Sequence, residues 1–176
     1  MTVTIAQLDS LPRGAAMELL TSCCGSRRWT AAMVARRPFG SRDALLRAAD
    51  EEWNRLSPND WLEAFADHPR IGERSAAAHV DARARRWSES EQLSAASSDD
   101  RVKHQLADTQ REYEARFGHI FLICAAGKSS QEILAALRAR MSNDSKTELR
   151  VAAEEQRQIT RLRLQNTVDP STAASA

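Results

Sequence analysis

Periodicity is the feature that most constrains this sequence. Apolar residues recur three and four positions apart along most of its length, and alternating β-branched runs are few. That spacing gathers side chains on one face of a helix, so a core forms only by packing helices against one another. Glycine, the strongest helix interrupter after proline, occurs six times in 176 residues. The expectation is an all-α protein, a single-domain helical bundle over residues 1–167 with no internal repeat. The closing "VDPSTAASA", residues 168–176, reads as a disordered tail of small residues.

Individual helices can be placed. "RGAAMELLTSCC" puts Ala16, Leu19, Leu20 and Cys23 on one face, and "RWTAAMVARRPFGS" carries Trp29, Met33 and Val34 before a turn. Ser41 is positioned to cap a helix bearing Leu45, Ala48, Ala49, Trp53 and Leu56. Ser57, Pro58 and Asp60 mark the start of the next. "RIGERSAAAHVDARARRW" has mixed signal and reads mainly as a loop, with room for one short helical turn. A helix pair, or one broken helix, follows and ends at Gly118. "HIFLICAAGKS" is the one strong apolar run, and two further helices complete the chain.

Composition excludes several classes of function. With 42% apolar and 28% charged residues the chain is globular rather than disordered. A net charge of +1 provides no electrostatic footprint for nucleic acid or an anionic membrane. No apolar run is long enough to span a bilayer, and the first residues lack a signal-peptide pattern. Three cysteines without scaffold spacing suit a reducing compartment, so a cytoplasmic location is expected. The four histidines form no H-x-x-x-H pair and there is no C-x-x-C, so no metal site is expected. Neither a phosphate-binding glycine loop nor a G-x-S-x-G elbow is present.

Three positions carry candidate chemistry. In "WLEAFADHPRIGER" the stripe Trp61, Leu62, Phe65 reaches His68, where Pro69 disfavours helical geometry and should stop the helix. The negative pole of a helix end favours imidazolium, which suits an acid or base near neutral pH. A half-buried histidine satisfied by a carbonyl explains the same residue. Ser88 and Glu91 form an S-x-x-E pattern that a capping box accounts for, although a first-turn carboxylate equally suits a ligand. In the last helix Leu149, Ala152, Gln156 and Ile159 step toward Leu162 or Arg163, whereas Arg161 points toward solvent. A guanidinium near that stripe needs a carboxylate, from the protein or from a ligand.

The order of these segments, "RRW", "RPF", "HPRIG", "SESEQ", "YEARFGHIFLICAAGKS" and "ITRLRL", resembles the 2-oxo-4-hydroxy-4-carboxy-5-ureidoimidazoline (OHCU) decarboxylase family. The most specific pieces are H-P-x-[IL], S-x-x-E-Q and F-G-x-x-F-[IVL]-[IVL]-C in that order. The resemblance implies an all-helical homodimer that forms (S)-allantoin by decarboxylation without a cofactor, as a step of uric acid degradation. It implies that His68 is the catalytic acid/base beside Pro69, working with Glu91 and Arg163. It places substrate contacts at Ser88, Glu89, Ser90 and Gln92, and main-chain contacts at Ile120, Phe121, Leu122, Ile123 and Cys124. Gln110 stands where the family pattern leads one to expect asparagine.

Under this reading Glu91 orients the imidazole and favours its protonated form, and Arg163 binds a substrate oxygen. The three side chains must then meet at one small-molecule cavity. Two rival readings remain: a non-enzymatic helical interaction domain, and an enzyme of the same fold acting on a neighbouring ureide.

Overall fold

The computed structural model describes residues 2–72 and 100–169. Within them lie eight helices: α1 (Ile5–Ser10), α2 (Arg13–Cys23), α3 (Arg27–Ala35), α4 (Arg42–Asn54), α5 (Pro58–Ala66), α6 (Asp100–Phe117), α7 (Ser130–Arg140) and α8 (Ser145–Thr167). The all-α expectation holds. Among the described residues the one β-type pairing is an isolated parallel bridge between Val3 and Val168. The loop expected after His68 and the first part of the following helix pair fall largely outside the described residues.

Helix starts follow local chemistry. The Ser41 hydroxyl accepts from Ala44 N–H at 3.2 Å, so the expected cap is in place. At α5, Ser57 N–H donates to Asp60 at 2.8 Å and Asp60 N–H returns to the Ser57 hydroxyl at 3.4 Å. Helix α1 has no counterpart among the sequence expectations. Its signal was present: Thr4 and Gln7 form a complete capping box, too short a helix for periodicity to reveal.

Two compact units emerge: residues 2–64 with 157–169, and residues 65–72 with 100–156. Helix α8 contributes residues 157–167 to the first and 145–156 to the second. The first unit buries Leu8, Ala16, Leu20, Trp29, Met33, Leu45, Trp53 and Leu164. The Trp29 indole satisfies its N–H on the Ala49 carbonyl at 3.1 Å. Val3 N–H donates to the Thr167 carbonyl at 2.8 Å and Asp169 N–H to the Val3 carbonyl at 3.0 Å. Val168, where the tail was expected to begin, is fully buried beside this pairing.

In the second unit Ile71, Leu106, Tyr113, Phe121, Ile123, Ile133, Leu134 and Leu137 form the apolar core. A polar knot sits beside it. Glu148, fully buried, accepts from Arg140 Nε at 2.8 Å, Arg140 Nη2 at 2.6 Å and Asn143 Nδ2 at 2.7 Å. The Tyr113 hydroxyl also donates to Glu148. Burial, then this bond to a carboxylate, push the Tyr113 phenol well above the usual tyrosine range. Arg140 Nη1 reaches the Leu122 carbonyl at 2.7 Å, and the guanidinium carbon lies 4.6 Å from the centre of the Phe121 ring.

An isolated buried carboxylate is among the costliest groups a fold can hold, so this unit should fail when its partner is removed. Arg140→Met is expected to lose about 3–5 kcal/mol of unfolding free energy, measured by chemical denaturation. A loss below about 1 kcal/mol, the scale of an exposed pair, would contradict the role given to Arg140.

Candidate functional site

His68 lies in the second unit. Helix α5 ends at Ala66, two residues before the position expected, and His68 follows in a turn. The difference reflects how the helix unwinds ahead of Pro69: His68 N–H donates to the Phe65 carbonyl at 3.1 Å, a tighter step than the helical one. His68 and Pro69 are both half-buried. Beyond them Arg70 donates to both oxygens of Glu114, at 2.6 and 2.8 Å. Ile71 N–H donates to Gln110 Oε1 at 3.0 Å, and Gln110 Nε2 donates back to the Ile71 carbonyl at 2.9 Å. Gly72 then takes a φ of +87°, a left-handed conformation that favours glycine.

The apolar run 120–124 belongs to the same unit and is neither helix nor strand. Side chains take up part of its main chain. Leu122 offers its carbonyl to Arg140, Cys124 N–H donates to Glu155 at 2.7 Å, and the Cys124 carbonyl accepts from Lys128 Nζ at 2.8 Å. The intervening main-chain groups of Phe121 and Ile123 make no hydrogen bond to any described residue, although both residues are buried. Ile120, half-buried, accepts at its carbonyl from His119 Nδ1–H at 3.0 Å, in the tautomer that carries its proton on Nδ1. The His119 ring stands 5.4 Å from that of Phe65 and 5.5 Å from that of Tyr113, centre to centre.

Arg163 lies in the first unit and is 5% exposed, so it continues the buried stripe of Ala152, Gln156 and Ile159 as the spacing predicts. Arg161 is not simply solvated. It pairs with Asp50 at 2.7 Å, beside Arg157 at 2.6 Å on the same carboxylate. Near Arg163 lies Cys24, which is fully buried. Ser88, Glu89, Ser90, Glu91 and Gln92 fall outside the described residues. Among the described residues no cluster of His, Cys, Asp and Glu could hold a metal ion, and no helix is long and apolar enough to cross a membrane.

Sequence reasoning missed the roles of the residues that hold the two segments in place: Gln110, noticed only as a departure from the family pattern, and Glu114, Arg140, Lys128 and Glu155. Their partners are main-chain atoms or distant side chains, for which no local pattern exists. What they support is a helical unit that carries a half-buried His68 and, at Phe121 and Ile123, main-chain groups with no hydrogen-bond partner among the described residues. A histidine held at a helix end in this way is a candidate for acid–base chemistry.

Comparison with known proteins makes the assignment specific. The sequence profile of OHCU decarboxylase matches residues 9–165. The chain belongs to the OHCU decarboxylase family. It is 40% identical over 143 residues to the "Uric acid degradation bifunctional protein TTL" of Arabidopsis thaliana, covering 81% of this chain and 44% of that protein. It is 27% identical over 165 residues to the "Uric acid degradation bifunctional protein" of Bacillus sp. (strain TB-90), covering 92% of this chain and 31% of that one. The chain thus spans less than half the length of these two relatives. A crystal structure of OHCU decarboxylase in the presence of (S)-allantoin is 34% identical with a TM-score of 0.72, covering 83% of this chain and 94% of that chain. A crystal structure of (S)-allantoin synthase, 20% identical with a TM-score of 0.70, shares the fold over 95% of this chain and 55% of its own.

The environment of Cys24 has a measurable consequence. Burial pushes its thiol from 9.0 up to about 12, against the smaller opposing influence of Ser26, Thr160 and Arg163. The folded state therefore favours the neutral thiol. Its contribution to stability is complete below about pH 9 and is lost as pH rises toward about 12, because the unfolded thiol ionises first. Melting temperature should fall across this alkaline window, and Cys24→Ala should flatten the slope. Parallel slopes for the two proteins would show that Cys24 does not carry the effect.

Proposed function

We propose that this chain catalyses decarboxylation of OHCU to (S)-allantoin in uric acid degradation. One observation carries the proposal: the match to OHCU decarboxylase runs through residues 9–165, and a 34% identical solved structure of that enzyme is covered almost end to end. The main chain at Phe121 and Ile123, without a hydrogen-bond partner among the described residues, supports it, since a ureide presents the amide donors and acceptors such groups would bind.

The chemistry asks little of an external electron sink. The bond from the ring carbon to the carboxylate breaks and CO2 departs. The released electron pair forms a double bond to the ureido-bearing carbon, while the adjoining C=N pair moves onto nitrogen, which takes a proton. Protonation of the ureido-bearing carbon on one face then sets the configuration, as the ring hydroxyl becomes a carbonyl. The protein must hold the ring, stabilise developing charge and control that proton. In this proposal His68 is the acid/base, Glu91 orients it, and Arg163 binds a substrate oxygen. Pro69, Ser88, Glu89, Ser90 and Gln92, with the main chain of 120–124, read the ring and ureido group. The working form is proposed to be a cytoplasmic homodimer.

The decisive assay starts from uric acid with uricase and hydroxyisourate hydrolase. Adding this protein should accelerate loss of the OHCU ultraviolet signal and yield optically active allantoin; racemic product at the spontaneous rate would refute the activity. His68→Asn should keep fold and ligand affinity within about 1–2 kcal/mol, the scale of a lost hydrogen bond. Its turnover should fall by about 10²–10⁴-fold. Wild-type turnover in that variant would remove His68 from the mechanism.

A further inference from the structure

The chain from His68 to Gly72 belongs to no helix or strand, so no backbone ladder fixes it. Helix α6 does so instead. Gln110, 2% exposed, gives its carboxamide oxygen to Ile71 N–H and its amide nitrogen to the Ile71 carbonyl, at 3.0 and 2.9 Å. This reproduces the two-bond exchange a neighbouring strand would make. One turn along the same helix face, Glu114 takes the Arg70 guanidinium through both carboxylate oxygens. The Ile71 side chain is itself packed into the apolar core with Leu106, Tyr113 and Phe121. On the other side of His68, its N–H closes onto Phe65, whose ring is 1% exposed. His68 is therefore suspended between a helix end and a clamp, with Pro69 restricting the chain between them.

We infer that Gln110 and Glu114 are positioning residues for His68: by clamping Ile71 and Arg70 they set the height and direction of its imidazole. The inference rests on the reading of His68 as the acid/base. The chemistry demanded at position 110 is narrow, because the side chain must accept from one main-chain group and donate to the other. Methionine fills a similar volume and does neither. Ionised glutamate accepts but cannot donate, and sets its second oxygen against the Ile71 carbonyl. Protonated glutamate does both. Proton transfer depends steeply on placement, so loosening the clamp should lower kcat while leaving ligand contacts elsewhere in place.

The test compares wild type with Gln110→Met, Gln110→Glu and Glu114→Gln. Each is checked for native circular dichroism, assayed for kcat and KM on OHCU, and examined by NMR at the Ile71 amide and the His68 ring. Gln110→Met should lose about 10²-fold in kcat, the effect of a displacement near 1 Å, with Ile71 amide exchange accelerated and His68 resonances shifted. Its KM should stay within about threefold of wild type. Gln110→Glu should approach wild-type kcat at low pH and fall away, relative to wild type at the same pH, as the new carboxyl ionises. Glu114→Gln should show a smaller loss of kcat. A folded Gln110→Met with wild-type kcat, or with unchanged His68 resonances, overturns the inference. If Gln110→Met does not fold, a pH-independent ratio for Gln110→Glu overturns it. If the wild type itself fails to turn over OHCU, the proposed activity falls, and the His68 resonances alone decide whether the clamp positions the ring.

Discussion

A buried negative charge organises the second unit. Glu148 has no access to water, and a lone carboxylate there would be neutralised or would unfold its surroundings. It is retained because Arg140, Tyr113 and Asn143 converge on it, bringing together α6, α7, the turn after α7 and α8. The same guanidinium holds the Leu122 carbonyl and lies over the Phe121 ring. One ion pair thus fixes both the packing of three helices and the irregular chain that passes beside them. Replacing such a pair as a whole by apolar residues can be neutral, which suggests that its value here lies in specifying position.

That irregular chain illustrates a general problem for all-helical proteins. Segments outside helices have no sheet to satisfy their amides, and buried amides cannot be left unpaired without cost. Here side chains do the work: from helices, Gln110 for Ile71, Arg140 for Leu122 and Glu155 for Cys124 N–H, and from the segment ahead of α7, Lys128 for the Cys124 carbonyl. Phe121 and Ile123 are the exceptions, buried yet without such partners among the described residues. Unsatisfied main-chain groups of this kind are what an amide-rich ligand can complete, which agrees with the family to which the chain belongs.

Local physics made much of this legible. Ser41 caps α4 and the Ser57–Asp60 pair starts α5, because a cap requires only residues within one turn of one another. Helical spacing distinguished buried Arg163 from half-exposed Arg161 for a similar reason: both sit on one helix, and the direction of a side chain follows from its number. It failed for what Arg161 touches, since Asp50 lies 111 positions away in the sequence. The early end of α5 shows the same limit on a smaller scale. Proline marked where the helix had to stop, but not how it would unwind on the way.

The sequence by itself determined the helical class, the positions and caps of the longer helices, and membership of the family through three motifs in order. These depend on periodicities and spacings carried along the chain. Only the tertiary structure decided that Gln110 and Arg140 would be buried, and what the buried polar residues would hold. Gln110 and Ile71 are 39 residues apart, and Arg140 and Leu122 are 18 apart. A hydrogen bond across such distances follows from packing of whole helices, and glutamine or arginine at those positions reads equally well as solvated surface until the packing is known.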